Sequence, residues 1–268
     1  MSLISVQHLA RRVTQITFTN AKKLNPMTEA LGAELAAALA ALDPLKTSAV
    51  VLAGEGLNFS AGGDLDFLRA RAAARPEANI DTMLAFYSLY LTPLRACPFP
   101  TIAAVAGACV GAGAALATAC DMRLVASSAR VGFTFTSGVA IHPGMGSTHF
   151  LPRAIGPGHA SRLLLTGDLV SGREMVAMGW GLEAVEEAEA VLPRAIALAE
   201  RAAAAAPLAV RETLATLRAA QDRGLEEALQ REAEAQALCY AGADFLAGVE
   251  GVATKTRPVW QQYAPPLA

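Results

Sequence analysis

Twenty-five consecutive residues, 96–120, carry no charge, and they constrain the fold more than any other stretch of the chain. A run of that length is long enough to span a bilayer. Its composition points elsewhere, because Ala, Gly, Thr, Cys and Pro dominate and few Leu, Ile or Phe are present to favour lipid. Pro98 and Pro100 break its beginning, and Gly107, Gly111 and Gly113 punctuate its middle. The pattern predicts a buried strand over 101–105, a glycine turn, and a buried helix over 113–119. A membrane span is not expected.

The same arrangement occurs once before. Residues 49–52 form a short apolar run, as in a strand covered on both faces, followed by a glycine-rich loop over 54–63 and a helix from Asp64. Upstream, residues 4–6 and 13–18 alternate like strands. Asn25-Pro26 reads as a turn, and Thr28 as the cap of a helix running to Leu42. Residues 80–95 are helical in pattern and 122–125 strand-like. Strand, turn and helix alternating this way predict layered α/β architecture over residues 1–187. From residue 188 the composition shifts to Ala-rich helices over 188–206, 208–220 and 225–239, separated by Pro207 and Gly224, so 188–268 is expected to be a helical C-terminal region.

Hydrophobic residues make up 53% of the 268 and charged ones 17%, which argues against disorder. A net charge of −2 supplies no electrostatic footprint for nucleic acid. Cys97, Cys109, Cys120 and Cys239 show neither metal nor disulfide spacing and read as reduced thiols in a cytoplasmic protein. The start of the chain lacks the basic residues and long apolar run of a signal peptide. The four histidines are scattered, so no metal site is expected. No G-x-S-x-G elbow supports a serine hydrolase.

The chemistry points to the two glycine turns. A buried strand leading through a glycine turn into a helix leaves backbone N–H groups at a helix N-terminus, where the dipole favours negative charge. Two such donors converging on one carbonyl oxygen form an oxyanion hole, and removing one typically raises the barrier by about 3 kcal/mol. Gly111-Ala112-Gly113 partly matches a dinucleotide fingerprint. Leu116 occupies the place of its third small residue, and no acidic residue follows at the required distance.

The segment Asn58-Phe59-Ser60-Ala61-Gly62-Gly63-Asp64-Leu65 resembles the F-S-A-G-A-D-L loop of the enoyl-CoA hydratase/isomerase, or crotonase, superfamily. Residues 100–107, Gly111-Ala112-Gly113 and Ala119-Cys120-Asp121-Met122-Arg123 resemble its P-x-I-A-A-V-x-G, G-G-G and A-C-D-x-R blocks. Pro143-Gly144-Met145-Gly146-Ser147-Thr148 resembles P-G-A-G-G-T. Leu164-Leu165-Thr166-Gly167 and Gly179-Trp180-Gly181-Leu182 resemble later blocks. The likeness covers residues 10–260 in order and spacing.

That resemblance implies a crotonase-like ββα spiral with a C-terminal helical trimerisation region, assembled as a homotrimer or a hexamer. It implies an acyl-CoA substrate, with coenzyme A as part of the substrate and no tightly bound cofactor. The N–H groups of Gly63 and Ala112 would hold the thioester oxygen. Lys22, Leu24, Ala61, Gly62, Gly111 and Lys255 would line the coenzyme path, and 65–75 and 80–91 the acyl pocket. Hydratases of the superfamily use two glutamates. Here Ala115 fills the first position, and Phe135 or Thr136 the second, depending on the direction of counting. Neither can exchange a proton near neutral pH. Isomerisation or another one-base reaction is therefore expected over hydration, with His142, Thr136 and Asp64 as the remaining candidate groups. The alternative is a non-catalytic acyl-CoA-binding subunit.

Overall fold

A computed structural model of the chain describes residues 2–256. Strands β1 (Ile4–His8) and β2 (Val13–Phe18) form an antiparallel hairpin, and Val13, Ile16 and Phe18 bury one edge of the core. Helix α1 (Glu29–Ala40) starts at Thr28, whose hydroxyl accepts the Leu31 N–H at 3.1 Å. Strand β3 (Ala49–Gly54) then runs parallel to β2. Helix α2 (Leu65–Ala72) is capped by Asp64, and α3 (Pro76–Ala96) begins on a proline at its first turn.

The uncharged run resolves into β4 (Thr101–Val105), β5 (Ala108–Val110) and α4 (Ala112–Ala119). Every residue of β4 and α4 is buried, which explains why neither carries a polar face. Among the described residues, no helix is long and apolar enough to cross a membrane. There follow β6 (Met122–Ala126), β7 (Arg130–Gly132), α5 (Phe135–Val139), α6 (Ser147–Thr166), β8 (Leu169–Ser171), α7 (Gly172–Ala177) and β9 (Glu183–Val185).

The main sheet has the order β1-β2-β3-β4-β6-β9 and is parallel beyond the first hairpin. A second sheet, β5-β7-β8, stands beside it. From β4 onward the chain passes back and forth between the two sheets, with β5, β7 and β8 in the second and β6 and β9 in the first. The fold is mixed α/β with a helical C-terminal region.

Helix α8 (Val191–Ala203) lies across β3, β4 and β6 and turns Val191, Ala195 and Ala199 inward, so the first helix after residue 187 covers the sheet itself. Helices α9 (Pro207–Gln221), α10 (Leu225–Tyr240) and α11 (Ala243–Thr254) follow. Helix α10 packs on α3, and α11 on α2 and α5. Arg218 of α9, 6% exposed, donates to both carboxylate oxygens of Asp121 and to the carbonyls of Arg95, Cys97 and Phe99. Burial opposes the charge on Asp121, yet this guanidinium holds its carboxyl below the usual carboxylate range. The four cysteines are free thiols. Burial pushes Cys120 up to about 12, so it is inert as a nucleophile at neutral pH.

Candidate active site

The first glycine turn is fastened to the second by backbone hydrogen bonds. The Phe59 N–H donates to Ala108 O at 2.9 Å, and the Val110 N–H to Ser60 O at 2.9 Å. The chain between Asn58 and Gly63 therefore runs alongside β5. Gly62 adopts φ +102°, and a Cβ there would sit 3.0 Å from Val110 O. On its other side this turn pairs with Met27: the Met27 N–H donates to Gly62 O at 2.8 Å, and the Asp64 N–H to Met27 O at 3.3 Å. Because successive peptide groups of extended chain point to opposite sides, the Gly63 N–H faces away from Met27. It meets no backbone acceptor among the described residues.

Gly111, at φ 54° and ψ −123°, precedes α4, so Ala112 is the first residue of the helix and its N–H has no partner within it. The close approach of α4 to the first turn depends on Gly113. A Cβ at that position would lie 2.6 Å from the Ser60 Cβ. The two unpaired N–H groups thus belong to turns that abut, with the Gly62 Cα 3.8 Å from where a Gly111 Cβ would be.

Both turns form one wall of a cavity of about 110 Å³. Leu65, Phe67 and Leu68 of α2 and Met83, Phe86 and Tyr87 of α3 line it, within the two segments expected for the acyl pocket. Helix α5 adds Phe135 and Val139, and α10 adds Gln236 and Tyr240. No carboxylate, imidazole, amine or thiol is among the described lining residues. A shallower groove of about 420 Å³ shares Ala61, Gly62, Gly63, Leu65 and Val252 with this cavity and continues outward past Lys23 and Arg69.

The remaining candidates are dispersed. Asp64 spends its carboxylate on the Asp66 and Phe67 N–H groups as the cap of α2. Ala115 is fully enclosed within α4 and does not reach the cavity. Of the two residues competing for the second glutamate position, Phe135 lines the cavity, whereas Thr136 donates its hydroxyl to Leu164 O at 3.0 Å. Thr136 and His142 line a separate groove of about 700 Å³ beside Leu164, Leu165 and Leu238. The His142 Nδ1–H donates to Pro143 O at 2.7 Å, and burial lowers the ring below the usual imidazole range.

On the coenzyme side, Leu24 O accepts the Ala61 N–H at 2.9 Å, and Lys22 is exposed. Lys23 rather than Lys22 borders the outer groove, and Lys255 ends α11 in a left-handed, exposed position. Of the run Lys255-Thr256-Arg257-Pro258, which resembles the superfamily's basic K-R-x-P end, Arg257 and Pro258 lie outside the described residues. The polar lining residues that sequence reasoning missed are Tyr87, Thr134, Gln236 and Tyr240. Their one signal is the i, i+4 spacing of Gln236 and Tyr240 on a single helix face.

A spiral of strand–helix units thus brings two N–H groups without backbone partners, at neighbouring glycine turns, to the wall of one cavity. The family model of enoyl-CoA hydratase/isomerase matches residues 9–263, and the chain belongs to that family. It is 33% identical over 269 residues to human enoyl-CoA hydratase domain-containing protein 2, mitochondrial, covering 96% of this chain and 89% of that one. To the crotonyl-CoA hydratase of Syntrophomonas wolfei it is 33% identical over 215 residues, 80% of each chain. A crystal structure of an enoyl-CoA hydratase from Mycobacterium avium subsp. paratuberculosis superposes with a TM-score of 0.84 at 25% identity, covering 98% of this chain and all of that one. Among the described residues, no group of His, Cys, Asp or Glu could hold a metal ion.

Proposed function

We propose that this protein binds a short acyl-CoA thioester and stabilises the oxyanion of its enolate on the N–H groups of Gly63 and Ala112. The observation that carries this reading is the pair of unpaired donors on one wall of a cavity whose described lining holds no carboxylate. Each donor needs no rearrangement to meet developing charge, and the apolar surroundings strengthen its effect. A water-sized group takes roughly 10–15 Å³ by the same measure, so the cavity holds several such groups and favours a short acyl chain.

Hydration needs a paired acid and base at the reacting carbons, and the cavity wall supplies neither. We therefore favour isomerisation of a double bond, or another reaction through the enolate, over hydration. The hydroxyl-bearing side chains of the described lining are Tyr87, Thr134 and Tyr240, and burial raises both phenols above their ordinary range, so they keep their protons at neutral pH. The coenzyme would follow the outer groove past Lys23. The exposed Leu165 and Leu238 of the separate groove are suited to contacts between subunits of a trimer or hexamer.

The test is incubation with crotonyl-CoA and with a 3-enoyl-CoA, following absorbance and mass. Conversion of the 3-enoyl thioester with slow hydration of crotonyl-CoA is the expected outcome. Rapid hydration would overturn the preference. Tight coenzyme binding with every thioester unchanged would favour the non-catalytic binding subunit.

A further inference from the structure

Of the three hydroxyl groups on the described wall of the cavity, two are committed to the protein. Tyr87 of α3 donates to Oε1 of Gln236 on α10 at 2.9 Å, and Tyr240 has the same oxygen at 3.0 Å and Met83 Sδ at 3.3 Å as acceptors. The third belongs to Thr134, and it takes part in no hydrogen bond among the described residues. Thr134 precedes α5 as its cap, a position where a threonine hydroxyl ordinarily accepts an N–H of the first turn. Here φ −76° and ψ 27° depart from the extended geometry of a cap, and that bond is not made. A glycine at 138 keeps the space beside the hydroxyl clear, since a Cβ there would stand 3.6 Å from Thr134 Oγ1.

Backbone pairing sets this hydroxyl beside the second donor turn. Strand β7 runs parallel to β5 with Gly132 opposite Val110, and the Gly111 N–H donates to Gly132 O at 2.8 Å. Ala112 and Thr134 each lie two residues beyond that registered pair, and both line the cavity. Neighbouring strands lie about 4.8 Å apart, so the two chains leave the sheet side by side.

Whatever its acyl chain, a thioester brings one acceptor to the Ala112 turn, its carbonyl oxygen. A neutral carbonyl oxygen has two lone pairs, which the Gly63 and Ala112 N–H groups would fill. An enolate oxygen has a third. A further donor beside this turn is therefore unmet in the bound substrate and engaged once the charge has formed. An interaction made only then speeds the reaction without tightening substrate binding.

We propose that the Thr134 hydroxyl is a third donor to the enolate oxygen, joining the N–H groups of Gly63 and Ala112 as the charge develops. The hydroxyl keeps its proton throughout. The inference rests on the reading of the two turns as an oxyanion hole.

Titration of the full chain and its Thr134→Val and Thr134→Ser variants with acetoacetyl-CoA tests it, reading enolate absorbance against pH and the affinity of the neutral form below the midpoint. Valine keeps the branched shape of threonine and removes the hydroxyl. Thr134→Val is expected to raise the midpoint by about one pH unit, a tenfold loss of enolate stability, with neutral-form affinity within about twofold of wild type. Thr134→Ser should restore the wild-type midpoint. If the valine variant fails to fold, Thr134→Ala removes the same hydroxyl with less bulk. A hydroxyl that only supports the wall would change stability and leave the midpoint where it is. An unchanged midpoint, or an equal loss of affinity for both forms, overturns the third donor and leaves the two N–H groups in place. A wild-type midpoint no lower than that of free acetoacetyl-CoA removes the oxyanion hole and the third donor together.

Discussion

A methyl group added at position 113 would press on the Ser60 Cβ at 2.6 Å and on its carbonyl oxygen at 2.9 Å. Backbone cannot yield there as a flexible side chain would, because Ser60 is itself bonded along β5. Gly113→Ala is therefore expected to cost about 1–3 kcal/mol of stability, measured by urea denaturation, by the overpacking it forces. It should also part the Gly63 and Ala112 donors and lower turnover beyond what the loss of stability explains. Gly63 itself has more room, since the nearest atom to a Cβ there is the Leu68 Cδ1 at 3.8 Å. The exacting positions are thus the glycines flanking the donors, not the donors. Ala112 in place of a glycine fits that reasoning, because its contribution comes from the backbone.

At the scale of one element, α10 governs the loop that closes the cavity. Glu232, Gln236 and Tyr240 recur every four residues on its buried face. Gln236 holds His142 O, and the Glu232 carboxylate accepts the N–H groups of Gly146 and Thr148 and the Thr148 hydroxyl. Burial without a cation raises Glu232 to about 7 despite those donors. A carboxyl raised in the folded state stabilises fully below its unfolded pKa and loses that contribution as pH rises through the folded value. Unfolding free energy of the wild type, relative to Glu232→Gln, should fall by about 3 kcal/mol between roughly pH 4.5 and 7, then level off. Urea melts across that range provide the check, and a rising difference would contradict it.

The elements most legible in the sequence were those whose signal is local. Strand β4 follows from five apolar residues after Pro100, and the start of α1 from Thr28 ahead of an Ala/Leu run. Strands β5, β7, β8 and β9 have three residues each, too few to show alternation, and their place is set by partners distant in sequence. The site divides in the same way. Both glycine turns were visible because glycine spacing is local, and the structure places them side by side on one cavity wall. Tyr87 and Gln236 lie 149 residues apart and meet only through the packing of α3 on α10. The choice between Phe135 and Thr136 needed the start of α5, which no count along the chain supplies.

Across the whole molecule, the boundary near residue 188 joins parts that are bound together. Helix α8 covers the main sheet, and Arg218 fastens α9 to Asp121 at the end of α4. Both side chains of that pair are largely buried, 7% and 13% exposed. Removing Arg218 leaves Asp121 with only the longer ion pair to Arg95 at 3.8 Å and strips the Arg95, Cys97 and Phe99 carbonyls of a donor, so Arg218→Ala is expected to destabilise the fold by about 3 kcal/mol, read by denaturant unfolding. A single transition should persist in the wild type, since the core runs without a break from Ile4 to Val249. Two separate transitions would show that the C-terminal helices fold as their own unit.

The central claim concerns the two backbone donors, and Ala112→Pro tests it most directly. Proline is tolerated at the first position of a helix, where it removes the N–H and sets its ring Cδ in that place. The probe is acetoacetyl-CoA, whose enolate is followed by its absorbance while pH is varied, independently of the reaction catalysed. Bound to the wild type, its enolate should form at a pH at least one unit lower than in Ala112→Pro, since each donor contributes about 3 kcal/mol to such a charge. An unchanged midpoint, with thioester affinity and thermal stability preserved in the variant, would contradict the oxyanion hole.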